Sequence, residues 1–317
     1  MLYSDGEWRH SPSDVNGRGE DSDKRDGKST AAGARRWGWF VTDAIAERLT
    51  VGAGSAAREI AVLRRPGGGP NTGNAAPGLF WLGGFMSSMA GSKAVAVDAW
   101  GAENGLAVTR FDYSGHGISG GAFTEGTISR WLEEAAAVLG AFAPGPQILV
   151  GSSMGGWLAL RLAEQLRESG RVAGLLLIAP AWDMTRALML DRMTKKARAA
   201  LQRDGLVREP SSYSDEPYVI TRALIEDGDR HLIGDRLVEV GCPVVILQGV
   251  ADREVPWRRA AALVERLASD DVVLTLVKDG DHRLSRPEDL ERIRAALATL
   301  VADARAPSPP VVQSPPP

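Results

Sequence analysis

Short apolar runs alternate with amphipathic stretches from about residue 48 to residue 304. Eight runs have the length and composition of strands: 48–51, 59–65, 78–84, 106–112, 147–150, 172–180, 243–249 and 271–280. Most are almost continuously apolar, as expected for strands of a parallel sheet that helices cover on both faces. A short Gly/Ala link joins the first two, which predicts an antiparallel start. The pattern therefore predicts an α/β fold with a mostly parallel sheet of about eight strands.

The stretches between these runs predict the flanking helices. The clearest are 92–105, 127–142, 154–169 and 287–304. The alternation fails between Pro180 and Cys242, where the sequence shows two helical segments, 193–205 and 218–228, and no clear strand. An insertion of this size late in such a sheet is typical of a lid. We therefore expect a helical cap over about residues 182–240.

Both ends of the chain differ in composition from this middle part. Residues 1–45 are rich in Gly, Ser, Asp, Arg and Lys, and we expect them to form a disordered extension. Residues 305–317 form a Pro-rich tail that is also expected to be disordered. The folded domain is thus predicted over residues 46–304. The N-terminal stretch has neither the apolar core of a signal peptide nor the acid-poor composition of a transit peptide.

Composition and charge exclude several classes of protein. The formal net charge is −3, so there is no basic footprint of a nucleic-acid binder. No run of about 18 apolar residues predicts a membrane span. Cys242 is the single cysteine, which excludes a disulfide within the chain, and we interpret it as a small buried residue.

Metal and nucleotide motifs are also lacking. No H-x-x-x-H or C-x-x-C spacing occurs, which argues against a metal site. The glycine-rich stretch 52–57 precedes a strand-like segment instead of the helix that a dinucleotide fingerprint requires. We therefore expect no cofactor.

Small residues interrupt the apolar pattern between the strand at 147–150 and the helix that follows. Gly151-Ser152-Ser153-Met154-Gly155 is a G-x-S-x-G motif in the strand–turn–helix context of a nucleophile elbow. The two glycines permit a sharp turn that exposes Ser153 at the carboxyl edge of the sheet. The sequence predicts Ser153 as a nucleophile. A second match, Gly117–Gly121 around Ser119, has no strand directly before it and is interpreted as a loop.

A nucleophilic serine needs a base, and the chain has four histidines: His10, His116, His231 and His282. In an elbow-type hydrolase the base follows the serine and the acid along the chain. The first lies in the predicted extension, the second precedes the elbow and the third lies in the predicted cap. His282 follows the last predicted strand in a polar loop, and we predict that it is the base.

The acid that orients this histidine should also follow a strand. Asp252 comes directly after the strand at 243–249, from which a carboxylate can reach the histidine Nδ1–H. Glu254 is a near competitor, two residues further along. Asp279 and Asp281 are very close to His282 in sequence. Asp252 is therefore the predicted acid.

The oxyanion that forms during acyl transfer needs two N–H donors. Met154, the residue after the nucleophile, is predicted to supply one. The second is expected from the loop after the strand at 78–84, where Phe85 follows a turn at Gly84. The alternative interpretation of Gly83 and Gly84 is an ordinary loop.

The start of the predicted cap is apolar and faces the same edge of the sheet in this scheme. Trp182, Met184, Leu188 and Met189 are candidates for the wall that binds an acyl chain. Simple packing between helices is the alternative.

Together these motifs resemble the α/β-hydrolase superfamily, and several longer segments extend the resemblance. The segments are GGFMSSMAGSKA, RFDYSGHGISGG, PQILVGSSMGGWLAL, SSYSDEPY, VPW and SDDVVLTLVKDGDHR. They are similar to the mitochondrial abhydrolase-type palmitoyl-protein thioesterases, a family that also acts on mycophenolic acid acyl-glucuronide. The similarity covers about Gly78 to Ala304. It implies a Ser153, Asp252 and His282 triad that hydrolyses S-acyl thioesters or activated carboxylic esters.

The expected function is a serine hydrolase acting through an acyl-enzyme on a small-molecule ester or thioester, or on an S-acylated protein. A serine peptidase or acyltransferase on the same scaffold, and a receptor-like protein with negligible turnover, are the alternatives that remain open. The N-terminal composition favours the cytoplasm, with the mitochondrion as the address if the protein is eukaryotic. The sequence does not indicate an oligomeric state.

Overall fold

The computed structural model describes residues 44–68, 76–209, 217–268 and 271–305. The predicted Pro-rich tail, 305–317, begins one residue too early, because Arg305 is the last residue of a helix. The rest of that tail and residues 1–43 of the predicted extension lie outside the described residues. The first strand begins at Ile45, one residue before the predicted start of the folded domain.

Ten strands occur in the described ranges. They are β1 (Ile45–Val51), β2 (Arg58–Arg65), β3 (Gly78–Leu82), β4 (Val108–Phe111), β5 (Gln147–Ser152), β6 (Val172–Ile178), β7 (Leu206–Glu209), β8 (Tyr218–Thr221), β9 (Val244–Gly249) and β10 (Val272–Val277). All except β7 and β8 form one sheet in the order β1-β2-β4-β3-β5-β6-β9-β10. The pairs β1–β2 and β2–β4 are antiparallel, and the remaining pairs are parallel. The predicted architecture, including its antiparallel start, is confirmed.

Seven α-helices accompany the strands in the described residues. They are α1 (Ser92–Glu103), α2 (Ile128–Phe142), α3 (Met154–Leu166), α4 (Lys195–Asp204), α5 (Arg222–Gly228), α6 (Trp257–Arg266) and α7 (Pro287–Arg305). Apolar side chains of α2, α3 and α6 pack on one face of the sheet. Side chains of α1 and α7 pack on the other face. The central strands β3, β4, β5, β6 and β9 are therefore buried on both faces, which explains their continuous apolar sequences. The edge strands β1 and β10 are partly exposed.

The cap contains a strand pair as well as helices. β7 and β8 pair antiparallel, although the sequence pattern predicted no clear strand here and a helix over 218–228. The helix begins only at Arg222, where the Thr221 side chain accepts a hydrogen bond from the Leu224 N–H. Val219, Ile220 and Thr221 are β-branched, which favours a strand. A strand of four residues is too short to show the two-residue alternation of a β-strand. The helical pattern of residues 222–228 therefore led to the prediction of a helix over the whole segment.

A small apolar cluster holds the cap together. Its buried members are Met193, Leu201, Val207, Ile220 and Ile225. Met193 precedes α4, and the other members come from α4, α5 and both cap strands. The cap therefore has an apolar core of its own beside those of the sheet. Among the helices of the described ranges, we find none with the length and apolar character needed to cross a bilayer.

Candidate active site

The turn between β5 and α3 has the geometry of a nucleophile elbow. Ser153 has φ 55° and ψ −118°, a strained conformation for a residue with a side chain. A Cβ placed on Gly155 would lie 2.0 Å from the carbonyl oxygen of Leu82 in β3, and one on Gly151 would lie 2.4 Å from the Gly155 oxygen. No side chain fits at either position. The small residues in the motif thus let the helix approach the sheet and turn Ser153 outward.

Three residues that the sequence singled out lie together at the carboxyl edge of the sheet. The His282 Nε2 atom is 3.0 Å from the Ser153 Oγ atom. The His282 Nδ1 atom is 2.8 Å from the Asp252 Oδ2 atom. Because a carboxylate only accepts hydrogen bonds, this arrangement places a proton on Nδ1 and makes Nε2 the acceptor of the serine proton.

The Asp252 side chain is fixed by its surroundings. Its Oδ1 atom accepts hydrogen bonds from the N–H groups of Glu254 at 2.9 Å and Val255 at 2.8 Å. Its Oδ2 atom accepts a further bond from Gln248 Nε2 at 3.1 Å. These donors hold the carboxylate that orients His282.

Gln248 is a site residue that the sequence analysis missed. It is fully buried near the end of β9, and its Nε2 group also donates to the carbonyl oxygens of Gly249 and Val255. A signal was present, since Gln248 is the one polar side chain in the apolar run VVILQG. A buried amide needs partners, and here they brace the loop that carries Asp252.

The other candidate acids have separate roles. Glu254 lines the cavity beside the site, and burial raises the pKa of its carboxyl group. The Asp281 carboxylate accepts the N–H groups of Arg283 and Leu284 at 3.0 Å each and so shapes the His282 loop. Asp279 pairs with Arg286 at 2.6 Å.

The remaining histidines and the second G-x-S-x-G match lie away from the Ser153 hydroxyl. The Ser119 hydroxyl donates to the Asp112 carbonyl oxygen at 2.6 Å and accepts the Ala61 N–H, which is a structural role. His116 is buried among aromatic rings, and burial lowers its pKa to about 4. His231 lies 2.7 Å from the Ser129 hydroxyl, and burial lowers its pKa too. His10 lies outside the described residues.

The loop after β3 lies against the elbow. A Cβ placed on Gly84 would be 3.4 Å from both the Ser153 Cβ atom and the Ser152 oxygen. The next residue, Phe85, packs its ring on Phe123 at a centroid distance of 5.0 Å. Met154 begins α3 directly after the serine. Met154 thus directly follows Ser153, and Phe85 directly follows a glycine that lies against Ser153.

A cavity of about 680 Å³ opens above Ser153 and His282. Its apolar side includes three of the predicted wall residues: Met184, Leu188 and Met189. The cap adds lining residues that the sequence did not suggest: Met193, Tyr218 and Ile220.

Trp182, the fourth predicted wall residue, has a different position. It is not one of the described residues that line the cavity. Its indole N–H donates to the Arg259 carbonyl oxygen at 3.0 Å, and the Arg259 guanidinium lies 4.1 Å from the ring centroid. Trp182 thus fastens the start of the cap to α6.

Polar residues line the cavity as well. Lys93, in the first turn of α1, donates to the carbonyl oxygen of Arg283, the residue after His282. Burial, together with the nearby positive charge of Arg283, lowers the pKa of Lys93 to about 8. This lysine supports the histidine loop, and no sequence motif pointed to it.

Within the described part of the chain, no group of three His, Cys, Asp or Glu side chains is arranged to bind a metal ion. Cys242 is buried, and burial raises the pKa of its thiol to about 12. It lies at the base of β9, at the opposite end of that strand from the loop of Asp252.

Comparison with known proteins adds to this geometry. A family model described as the alpha/beta hydrolase family matches residues 66–293. The mitochondrial palmitoyl-protein thioesterase ABHD10 of Mus musculus is 37% identical over 228 residues, which are 71% of this chain and 75% of that protein. The crystal structure of a putative hydrolase from Agrobacterium vitis S4 is 50% identical with a TM-score of 0.78, covering 81% of this chain and 99% of that one. The structure of alpha/beta hydrolase domain-containing protein 10 from mouse is 32% identical with a TM-score of 0.70, covering 81% and 98%.

Proposed function

Because the chain belongs to the alpha/beta hydrolase family, we propose that it is a serine hydrolase that cleaves acyl thioesters or carboxylic esters through Ser153, His282 and Asp252. The family, the fold and the resemblance to the palmitoyl-protein thioesterases agree with the sequence-based predictions, and the chain is a hydrolase. The observation that carries the proposal is the chain of contacts from Ser153 Oγ through His282 to the Asp252 carboxylate.

The proposed reaction has two acyl-transfer steps. His282 Nε2 takes the Ser153 proton while Oγ attacks the acyl carbonyl carbon. The N–H groups of Phe85 and Met154 stabilise the oxyanion. The tetrahedral intermediate expels the thiol or alcohol, which takes the proton from His282. Water, deprotonated by His282, then attacks the acyl-enzyme, and the carboxylic acid leaves as Ser153 regains its proton.

The cavity supports an acyl substrate with an apolar chain. The side formed by Met184, Leu188, Met189 and Met193 offers flexible apolar side chains to such a chain. The volume is in the range of ordinary small-molecule sites. Both a small ester or thioester and an S-acylated protein remain candidate substrates. The relatives are named palmitoyl-protein thioesterases, which favours the thioester.

The cellular address is part of the proposal. The N-terminal composition favours the cytoplasm, whereas the similar mammalian proteins carry the word mitochondrial in their names. Fractionation of the source cells with an antibody against the chain would decide between the two.

The direct test of the proposed function is hydrolysis of p-nitrophenyl esters and thioesters from acetyl to palmitoyl by the wild type and by Ser153→Ala. The wild type should turn over, and the variant should lose several orders of magnitude in kcat. Labelling with a fluorophosphonate should require Ser153. Equal rates for both proteins would remove Ser153 from the mechanism. Strong labelling of a wild type that has no turnover would favour a binding protein.

A further inference from the structure

A buried group of charged side chains lies under the loop that carries Phe85. Asp112 follows β4, and its side chain reaches two different loops. Its Oδ1 atom accepts the Met89 N–H at 2.6 Å, and its Oδ2 atom accepts the Ile118 N–H at 2.9 Å. Asp112 is 3% exposed. A single carboxylate thus ties the loop after β3 to the loop after β4.

Arg110 also binds the loop after β3 at Met89. Its Nη1 group donates to the Met89 carbonyl oxygen at 2.7 Å. The N–H and the C=O of Met89 are therefore both bound by buried charged side chains from the end of β4. Because the loop is only nine residues long, 83–91, fixing Met89 limits the freedom of Phe85 four residues earlier.

The charges of this group are connected to α1 and β2. Arg110 Nη2 lies 3.4 Å from Asp98 Oδ2 in α1. Asp98 also accepts two hydrogen bonds from Arg65 of β2, at 2.9 and 3.2 Å. The loop is thus anchored to three elements of the sheet and its helices.

Such a group is expensive to bury. Burial raises the pKa of Asp112 and lowers the pKa of Arg110, so each charge is disfavoured by desolvation. Apolar side chains of similar size would satisfy the packing at a lower cost. Apolar side chains at these positions would leave the Met89 and Ile118 N–H groups without acceptors. They would therefore not fix the position of the loop after β3.

We propose that Asp112 and Arg110 are positioning residues for the oxyanion hole: by binding the N–H and the C=O of Met89, they keep the Phe85 N–H where the oxyanion develops. The inference rests on the proposed function. Neither side chain lines the cavity, so they act on the reaction through the loop.

The test separates transition-state stabilisation from folding. Asn at position 112 offers one oxygen acceptor, and its NH₂ group faces the other N–H, so one of the two bonds is lost. In Asp112→Asn we expect kcat for a butyryl thioester to fall about 10- to 100-fold, which is less than the roughly 10²- to 10³-fold loss from removing one oxyanion donor completely. We expect KM to change by less than about threefold, since ground-state binding does not use the oxyanion hole.

Inhibition by a boronic acid distinguishes positioning of the oxyanion hole from a purely structural role, which would leave the Ki unchanged. The boronic acid forms a tetrahedral adduct with a serine hydroxyl and places an oxygen in the oxyanion hole. The Ki of butylboronic acid should rise in proportion to the loss of kcat/KM in Asp112→Asn. Arg110→Lys, which keeps the positive charge beside Asp98 but shortens the reach to Met89, should change both quantities in the same direction.

Asp227→Asn is the matched control. Asp227, in α5, is also a buried carboxylate that accepts a backbone N–H, that of Ser129 at 2.8 Å in the first turn of α2. It lies outside the cavity lining. The Asp227→Asn variant should lose thermal stability and keep the wild-type Ki for butylboronic acid. If both Asp112→Asn and Arg110→Lys keep the wild-type Ki, or lose kcat/KM only as Asp227→Asn does, the positioning role is overturned. If Ser153→Ala remains active, it is the proposed function that fails instead.

Discussion

The α-carbon of Gly155 in α3 lies so close to the carbonyl oxygen of Leu82 in β3 that a Cβ would come within 2.0 Å of it. This contact sets how near the helix after Ser153 can approach the strand before the oxyanion loop. The position of Ser153 relative to the loop after β3 therefore depends on Gly155 having no side chain.

Gly155→Ala should separate α3 from β3. The backbone has to move, because the clashing atom is a carbonyl oxygen and not the end of a flexible side chain. We expect a loss of about 1–3 kcal/mol in the free energy of unfolding and a loss of at least about tenfold in kcat/KM. Urea denaturation and steady-state hydrolysis measure the two quantities. Gly140→Ala in α2 is the control, since nothing lies within 4 Å of its Cβ, and it should be neutral or stabilising. Equal effects of the two changes would contradict the contact.

Asp252→Asn should leave the fold intact and lower kcat. The amide cannot orient the His282 Nδ1–H as the carboxylate does, and it does not stabilise the imidazolium. We expect kcat to fall roughly 10³- to 10⁴-fold. Single-turnover hydrolysis of a butyryl ester would measure the acylation step. Asp279→Asn, which removes an exposed carboxylate near His282 in sequence, should stay close to the wild type. A similar loss in both variants would point to a general electrostatic effect in place of a specific acid.

His116 should make the fold sensitive to acid. Burial lowers its pKa to about 4 from an ordinary value of 6.5, so between these pH values the unfolded state binds more protons than the folded state. Stability is therefore lost as the pH falls from 6.5 towards 4. From pH 7 to 4.5 this group alone should cost about 2 kcal/mol. Urea denaturation of His116→Gln at both pH values should show a loss smaller by that amount. Parallel pH profiles for variant and wild type would exclude His116 as the cause.

Leu188→Trp should shorten the preferred acyl chain. Leu188 lines the apolar side of the cavity, and the larger ring takes up space that a long chain would use. We expect kcat/KM for palmitoyl substrates to fall on the order of tenfold while acetyl substrates are hydrolysed at nearly the wild-type rate. Leu237→Trp is the matched control, because Leu237 is 62% exposed and lies outside the lining. An unchanged chain-length profile in Leu188→Trp would place the acyl chain elsewhere.

The apolar periodicity of the sequence was enough to predict the sheet, its antiparallel start and the helices on both faces. These features depend on which positions are buried, and the order of apolar and polar residues along the chain indicates those positions. The predicted Ser153, Asp252 and His282 could be selected for a similar reason: each follows a strand, and the carboxyl ends of parallel strands meet at one edge of the sheet.

Other features were decided only by the tertiary structure. The strands β7 and β8 are too short to have a period and depend on pairing with each other. Trp182 packs on Arg259, which is 77 residues away in sequence, and no local pattern predicts that contact. Lys93 and Asp112 bind backbone groups of loops that are distant in sequence, and Gln248 binds the Asp252 carboxylate. Local patterns show which residues are buried and where the chain turns, whereas the partner of a polar group is known only once the chain is folded.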